Sequence, residues 1–205
     1  MQAISRQVGI WAPPGQRPSA GALGLAAMAG ALGGAKALAQ WQAEHPEAAV
    51  GYAHGERHDL WWEFDLAASF KWQAHVSRLN RLYGQQRLLK LARLFDLTEL
   101  LQRPVESLTP GEQARANLAV ALLPQPDLLV WEEPFRTMPG REWMQLCRIV
   151  RRLCRTEGLT VIMVAALKEE TQHDWQHETW ADHFRSGRRP GAAGRPATAA
   201  GARWA

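Results

Sequence analysis

The side chains best placed to do chemistry cluster around one apolar run. Leu128-Leu129-Val130-Trp131 leads directly into Glu132, Glu133 and Pro134. Four consecutive apolar residues suit a strand buried on both faces. Acids at the carboxyl end of such a strand sit where α/β sheets bind ligands. One carboxylate there can hold Mg²⁺ while the next orients a water, and the competing reading is a strand-end turn with solvated acids. Two other segments carry polar groups in suggestive order: Leu108-Thr109-Pro110-Gly111-Glu112-Gln113, which opens a helix, and Gly55-Glu56-Arg57-His58-Asp59-Leu60-Trp61-Trp62, which reads as a loop. His173, Asp174 and His177, with His183 nearby, have the spacing of metal ligands on a helix. No third strong ligand precedes them at a diagnostic spacing, so a polar surface is the preferred reading.

The elements that must position these groups follow from periodicity. Gln7 to Trp11 reads as a short strand, Ala12 to Pro18 as a Pro/Gly loop, and Ser19 as the cap of a helix from Ala20 to about Leu32. Ala48 to Tyr52 is a second strand. Leu66 to about Leu101 is mostly helical, with Gly84 as an interruption, and another helix carries Leu118, Ala119 and Leu122. Trp143, Leu146, Cys147, Val150, Leu153 and Cys154 mark one helix face, with Arg148, Arg151, Arg152 and Arg155 mostly off it as a solvated face. Leu159 to Val164 is a buried strand. Strands alternating with helices predict an α/β sheet covered on both sides.

At 205 residues, 46% hydrophobic and 21% charged, the chain has the composition of one folded domain. The formal charge of +4 does not signal nucleic acid, because five of the 24 bases (Arg185, Arg188, Arg189, Arg195, Arg203) follow the last acid, Asp182. The remainder carries 19 bases and 20 acids. A single domain over 1–184, with a helical subdomain over about 64–123, and a disordered basic tail over 185–205 are expected. Two cysteines are too few for a disulfide scaffold. Pro18 to Ala35 lacks charge, but its glycines and alanines would drive membrane insertion weakly, so a buried glycine-rich helix is expected.

In the order and spacing of its motifs, from about Gln7 to Glu170, the sequence resembles the ATP-binding subunits of ABC transporters. Gly55 to Trp62, Leu108 to Arg115 and Leu128 to Pro134 look especially like exporters whose membrane partner is of the ABC-2 type. The resemblance implies a P-loop NTPase-like parallel sheet core covered by helices, without the family's opening strands. It also implies roles. Ala12 to Ser19 falls on the phosphate loop G-x-x-x-x-G-K-[ST], keeping Gly15 and Ser19, with Arg17 for the second glycine and Pro18 for the lysine. Ser19 and Glu132 would hold Mg²⁺, and Glu133 matches the catalytic base. Glu56 replaces the water-orienting glutamine, Thr109 and Gly111 remain from the signature, and Ala166 stands at the switch-histidine position.

With lysine, glutamine and histidine replaced, the resemblance implies a degenerate cassette subunit with weak or no hydrolysis and weak ATP and Mg²⁺ binding. It implies a place on the cytoplasmic face of a membrane, a permease partner and a second ATPase subunit, homo- or heterodimeric, with no nucleic acid. The rivals are a working ATPase in which Arg17 stands in for the lysine, and a free-standing adaptor. Trp61, Trp62 and Trp72 are the expected docking surface, at least one of the adjacent tryptophans being exposed.

Overall fold

A computed structural model describes residues 6–55, 60–133 and 140–166. Four strands, β1 (Arg6–Trp11), β2 (Val50–His54), β3 (Leu128–Glu132) and β4 (Thr160–Ala166), form one sheet in the order β1-β4-β3-β2. β2, β3 and β4 are parallel, with His54, Glu132 and Val164 level across them. β1 differs from the expected parallel arrangement: it is antiparallel to β4, pairing Trp11 with Val161 and Arg6 with Ala166. The orientation of this edge strand decides which end of the sheet receives the loop that follows it.

The central strands are apolar on consecutive positions because each face has its own cover. Leu129, Trp131, Val161 and Met163 point into one core, and Val130, Ile162 and Val164 into the other. Removing a side chain such as the fully buried Ile162 would cost about 2–5 kcal/mol. The second core is closed by a helical hairpin, α1 (Ala20–Leu32) and α2 (Gly34–Glu44). The expected buried glycine-rich helix is α1, with Ala22, Leu25, Ala26 and Ala29 against the sheet. Among the described residues no helix is long and apolar enough to cross a membrane.

The first core is covered by α3 (Leu66–Val76), α4 (Arg81–Leu94), α5 (Pro110–Ala121) and α6 (Gly140–Thr156). The long helical stretch breaks at Ser77–Asn80 rather than at Gly84. Asn80 accepts hydrogen bonds from the Leu82 and Tyr83 amides and so starts a new helix, whereas Gly84 lies inside α4, close enough to α3 that an added Cβ would meet Ala74 at 3.3 Å. Asn117 is buried and donates to the His54 carbonyl at 2.9 Å, which ties α5 to the carboxyl end of β2. Cys147 and Cys154 are free and buried, and burial pushes their thiols up to about 12 and about 11, so both stay protonated and unreactive at neutral pH.

Candidate functional site

The chain leaves β3 through two hydrogen bonds. The Gly55 amide donates to the Glu132 carbonyl at 2.8 Å, and the Glu133 amide donates to the Val164 carbonyl at 2.8 Å. Glu133 has φ +48, a left-handed conformation that costs a non-glycine residue about 1–2 kcal/mol and that the bond to β4 holds in place. Both acids therefore sit at the carboxyl end of the sheet. Ala166 ends β4 at the same end, two residues beyond Val164.

Glu132 turns to α2. One carboxylate oxygen accepts from the Gly34 amide at 2.8 Å, and the other accepts from the Ala35 amide at 3.0 Å and from the Tyr52 hydroxyl at 2.8 Å. Unpaired amides and the helix dipole make a helix N-terminus attractive to an anion, and here the anion is the chain's own. Two glycines permit the fit. Gly33 takes φ +88 and ψ 158, a region essentially reserved for glycine. A Cβ on Gly34 would lie 2.8 Å from the Glu132 carboxylate oxygen. Lys36 is exposed in the first turn of α2.

The loop expected to cradle phosphate is elsewhere. Gln16 donates to the Pro13 carbonyl at 3.1 Å across a turn in which Gly15 has φ +79, Arg17 is exposed, and Ser19 caps α1 by accepting from the Ala22 amide at 3.1 Å. Because β1 runs antiparallel, this loop leaves the sheet at the amino end of β4, where Trp11 is level with Val161. The 13 residues of α1 then separate Ser19 from Gly33, about 20 Å at 1.5 Å per residue. Two ligands of one Mg²⁺ stand no more than about 4 Å apart. Ser19 and Glu132 therefore do not share an ion, and Gly15 and Arg17 do not meet Glu133.

Mg²⁺ with a nucleotide is the group that the fold implies, and the donor set does not fit it. Both oxygens of Glu132 already accept protein hydrogen bonds, and the hydroxyl assigned to the ion lies at the other end of α1. Among the described residues no cluster of three His, Cys, Asp or Glu side chains could hold a metal. Glu56 and the His173–His183 group lie outside the described residues.

The segment expected to carry the signature is also closed on itself. Thr109 caps α5 by accepting from the Glu112 amide at 3.3 Å, while the Glu112 carboxylate takes the Thr109 amide at 2.7 Å and its hydroxyl at 3.0 Å. The Thr109 amide holds the Glu112 carboxyl below its ordinary range, against a smaller opposing effect of burial. A side chain at Gly111 would run into the Glu142 carboxylate of α6.

From Trp61 onward the chain presents an aromatic surface. Trp61, Trp62, Phe64 and Trp72 are 42–49% exposed. Trp61 packs on Trp72 and Phe64 with ring centres 5.0 and 5.3 Å apart. With Ala68, Lys71 and His75 they line a cavity of about 440 Å³. Both adjacent tryptophans are exposed, one more than the sequence requires.

Gly33, Gly34 and Tyr52 were not marked out by the sequence as site residues. A signal is present: Gly30-Ala31-Leu32-Gly33-Gly34-Ala35-Lys36-Ala37 follows the phosphate-loop spacing with Ala35 and Ala37 as replacements, and it keeps the first glycine and the lysine.

No protein-family model matches the chain. It is 32% identical over 100 residues to the thiamine import ATP-binding protein ThiQ of Haemophilus ducreyi, covering 48% of this chain and 47% of that one. It is 38% identical over 81 residues to the phosphonates import ATP-binding protein PhnC 2 of Rhodopseudomonas palustris, covering 40% and 28%. The chain spans less than half the length of these curated relatives. Among solved structures, cbiO1 from Clostridium perfringens, part of the ABC transporter complex cbiONQ, matches with a TM-score of 0.53 at 15% identity, over 65% of this chain and 51% of that one. The fold is P-loop NTPase-like, and the chain is similar to ATP-binding subunits of ABC transporters, mostly importers by name.

Proposed function

We propose that the chain is a degenerate ATP-binding-cassette subunit that docks on a membrane permease and pairs with a second ATPase subunit without turning over ATP itself. The observation that carries this reading is Glu132 on the Gly34 and Ala35 amides. In a working site, phosphate oxygens would take such amides; here a carboxylate one methylene longer than aspartate takes them. On this reading Gly30–Ala37 is the remnant of the phosphate loop, and Ala12–Ser19 is an ordinary connection. Alanine at 35, 37 and 166 removes the close-approach glycine, the metal-binding hydroxyl and the switch histidine together. The rival working ATPase needs Arg17 near the acids, and α1 keeps it at the far end.

The resemblance of Gly55–Trp62 to exporters stands beside relatives named for import, so the reading commits to a permease and not to a direction of transport. Its place would be the cytoplasmic face of the membrane. Purified protein is expected to hydrolyse ATP at the rate of a Glu133→Gln control, and turnover clearly above that control would overturn the reading. The Trp61, Phe64 and Trp72 cavity is the docking candidate, since exposed indoles make interface anchors. Trp72→Ala is expected to keep the melting temperature within a few degrees and to weaken permease co-purification by about 2 kcal/mol. Unchanged recovery of the complex would remove this surface from the proposal.

A further inference from the structure

α4 and α6 leave a cleft of about 980 Å³ between them, lined by none of the residues of the site described above. Leu89, Leu94, Ile149 and Leu153 supply its apolar lining, and Lys90, Arg93, Arg148 and Arg152 its charge. The acid in the lining, Glu157, is already engaged by Arg87, at 2.8 Å, and by Lys90, at 2.6 Å. Arg93, Arg148 and Arg152 are exposed and make no ion pair among the described residues. On each helix the lining recurs at three- and four-residue steps over about two turns, so the cleft presents two parallel stripes about 12 Å long. That shape and charge fit a short acidic segment with apolar members.

The chain contains such a segment. Glu169 to Phe184 has five acids and no lysine or arginine, with Glu170, Asp174, Glu178 and Asp182 at every fourth position and Trp175, Trp180 and Phe184 among them. The repeat is the one that aligns side chains on one helix face. The segment follows β4 after Leu167 and Lys168, and from Ala166 the cleft is within reach. Arg148 and Arg152 lie about 12–18 Å along α6 from its start at the carboxyl end of the sheet, and eight extended residues span about 26 Å.

We propose that the α4–α6 cleft is the docking seat of the chain's own acidic segment, Glu169–Asp182. Arg93, Arg148 and Arg152 pair with its carboxylates, and Trp175 covers the apolar floor. The inference is independent of the nucleotide reading, because it uses neither Glu132 nor any residue of α2. It gives the arginine face of α6 a partner in place of solvent.

Hydrogen exchange of the full chain, read by mass spectrometry, tests it. Peptides covering 170–182 are expected to exchange about ten-fold slower in the native chain than in Arg148→Glu/Arg152→Glu. Adding Asp174→Lys/Glu178→Lys to that variant should restore the slow exchange, which a merely structural role for the arginines would not do. Salt at about 1 M should abolish the protection. If the arginine variant loses its near-ultraviolet circular dichroism, Asp174→Lys/Glu178→Lys alone must abolish protection. Absence of protection in the native chain overturns the proposal, as does protection indifferent to these reversals. Protection that grows with protein concentration places a second copy's segment in the cleft and likewise overturns it. Protection that appears only on adding a separate acidic peptide identifies an external partner and does the same.

Discussion

The N-termini of α2 and α5 are each closed by a glutamate, and they reach that state by opposite routes. At α5 the carboxylate is Glu112, three residues from the Thr109 that it caps, in a reciprocal box built within one turn. At α2 it is Glu132, 98 positions away from Gly34, and it arrives because the sheet delivers the end of β3 to the start of α2. The first closure forms wherever α5 forms. The second exists only when the hairpin and the sheet are both assembled, so its strength reports tertiary structure. On the reading proposed above, these are the remnants of the phosphate loop and of the signature, and at both the chain's own carboxylates take helix-start amides.

The comparison breaks most easily at Glu132. Glu132→Ala leaves two amides and the Tyr52 hydroxyl without their charged acceptor, and should lower unfolding free energy by about 3 kcal/mol in urea denaturation. Glu112→Ala should cost about 1 kcal/mol, the usual worth of a cap. Equal losses would mean that the α2 closure is a loose surface contact. Gly34→Ala comes next. Its Cβ must push the carboxylate aside, at a cost of about 2 kcal/mol, and combined with Glu132→Ala it should cost much less than the sum. Additive losses would show that the two residues do not share one packing constraint. Tyr52→Phe sharpens the picture, with an expected loss of about 1 kcal/mol that vanishes in the Glu132→Ala background.

What the sequence reveals follows the same local-versus-distant division. The buried strands β3 and β4, the start of α1 at Ser19 and the helical opening at Thr109 are written in runs of adjacent residues, and each forms as expected. The direction of β1 is not. A six-residue strand carries no mark of its sense, and only the α1–α2 hairpin, packed against Val130 and Ile162, sends it down the edge of the sheet. That reversal carries Gly15, Arg17 and Ser19 away from Glu132. The first helix ends near Leu32 as read, but the second one, Gly34–Glu44, is not legible, since its opening glycine and alanines carry no cap and no apolar period. The lysine at 36 was the available signal, and the alanines on either side of it removed the rest of the motif.

The smallest expected effect concerns acid. The Thr109 amide depresses the Glu112 carboxyl below its ordinary value of 4.5. A group whose folded pKa is depressed contributes stability that is fully present above the unfolded value and is lost as pH falls through the folded one. The α5 closure should therefore be intact at neutral pH and should weaken only below about 4.5, as protonation removes the charged acceptor from Thr109. Glu157 carries a depressed carboxyl too; burial opposes that shift, and the Arg87 and Lys90 hydrogen bonds outweigh it, so the native chain loses stability in acid at two places. The difference between native protein and Glu112→Gln isolates one of them, because Glu157 titrates equally in both. That difference should be constant, at no more than about 1 kcal/mol, from pH 7 to 5 and should shrink toward zero as pH falls below 4.5. A difference that grew toward low pH would reverse the sign of the linkage and show that Glu112 does not close α5 as a carboxylate.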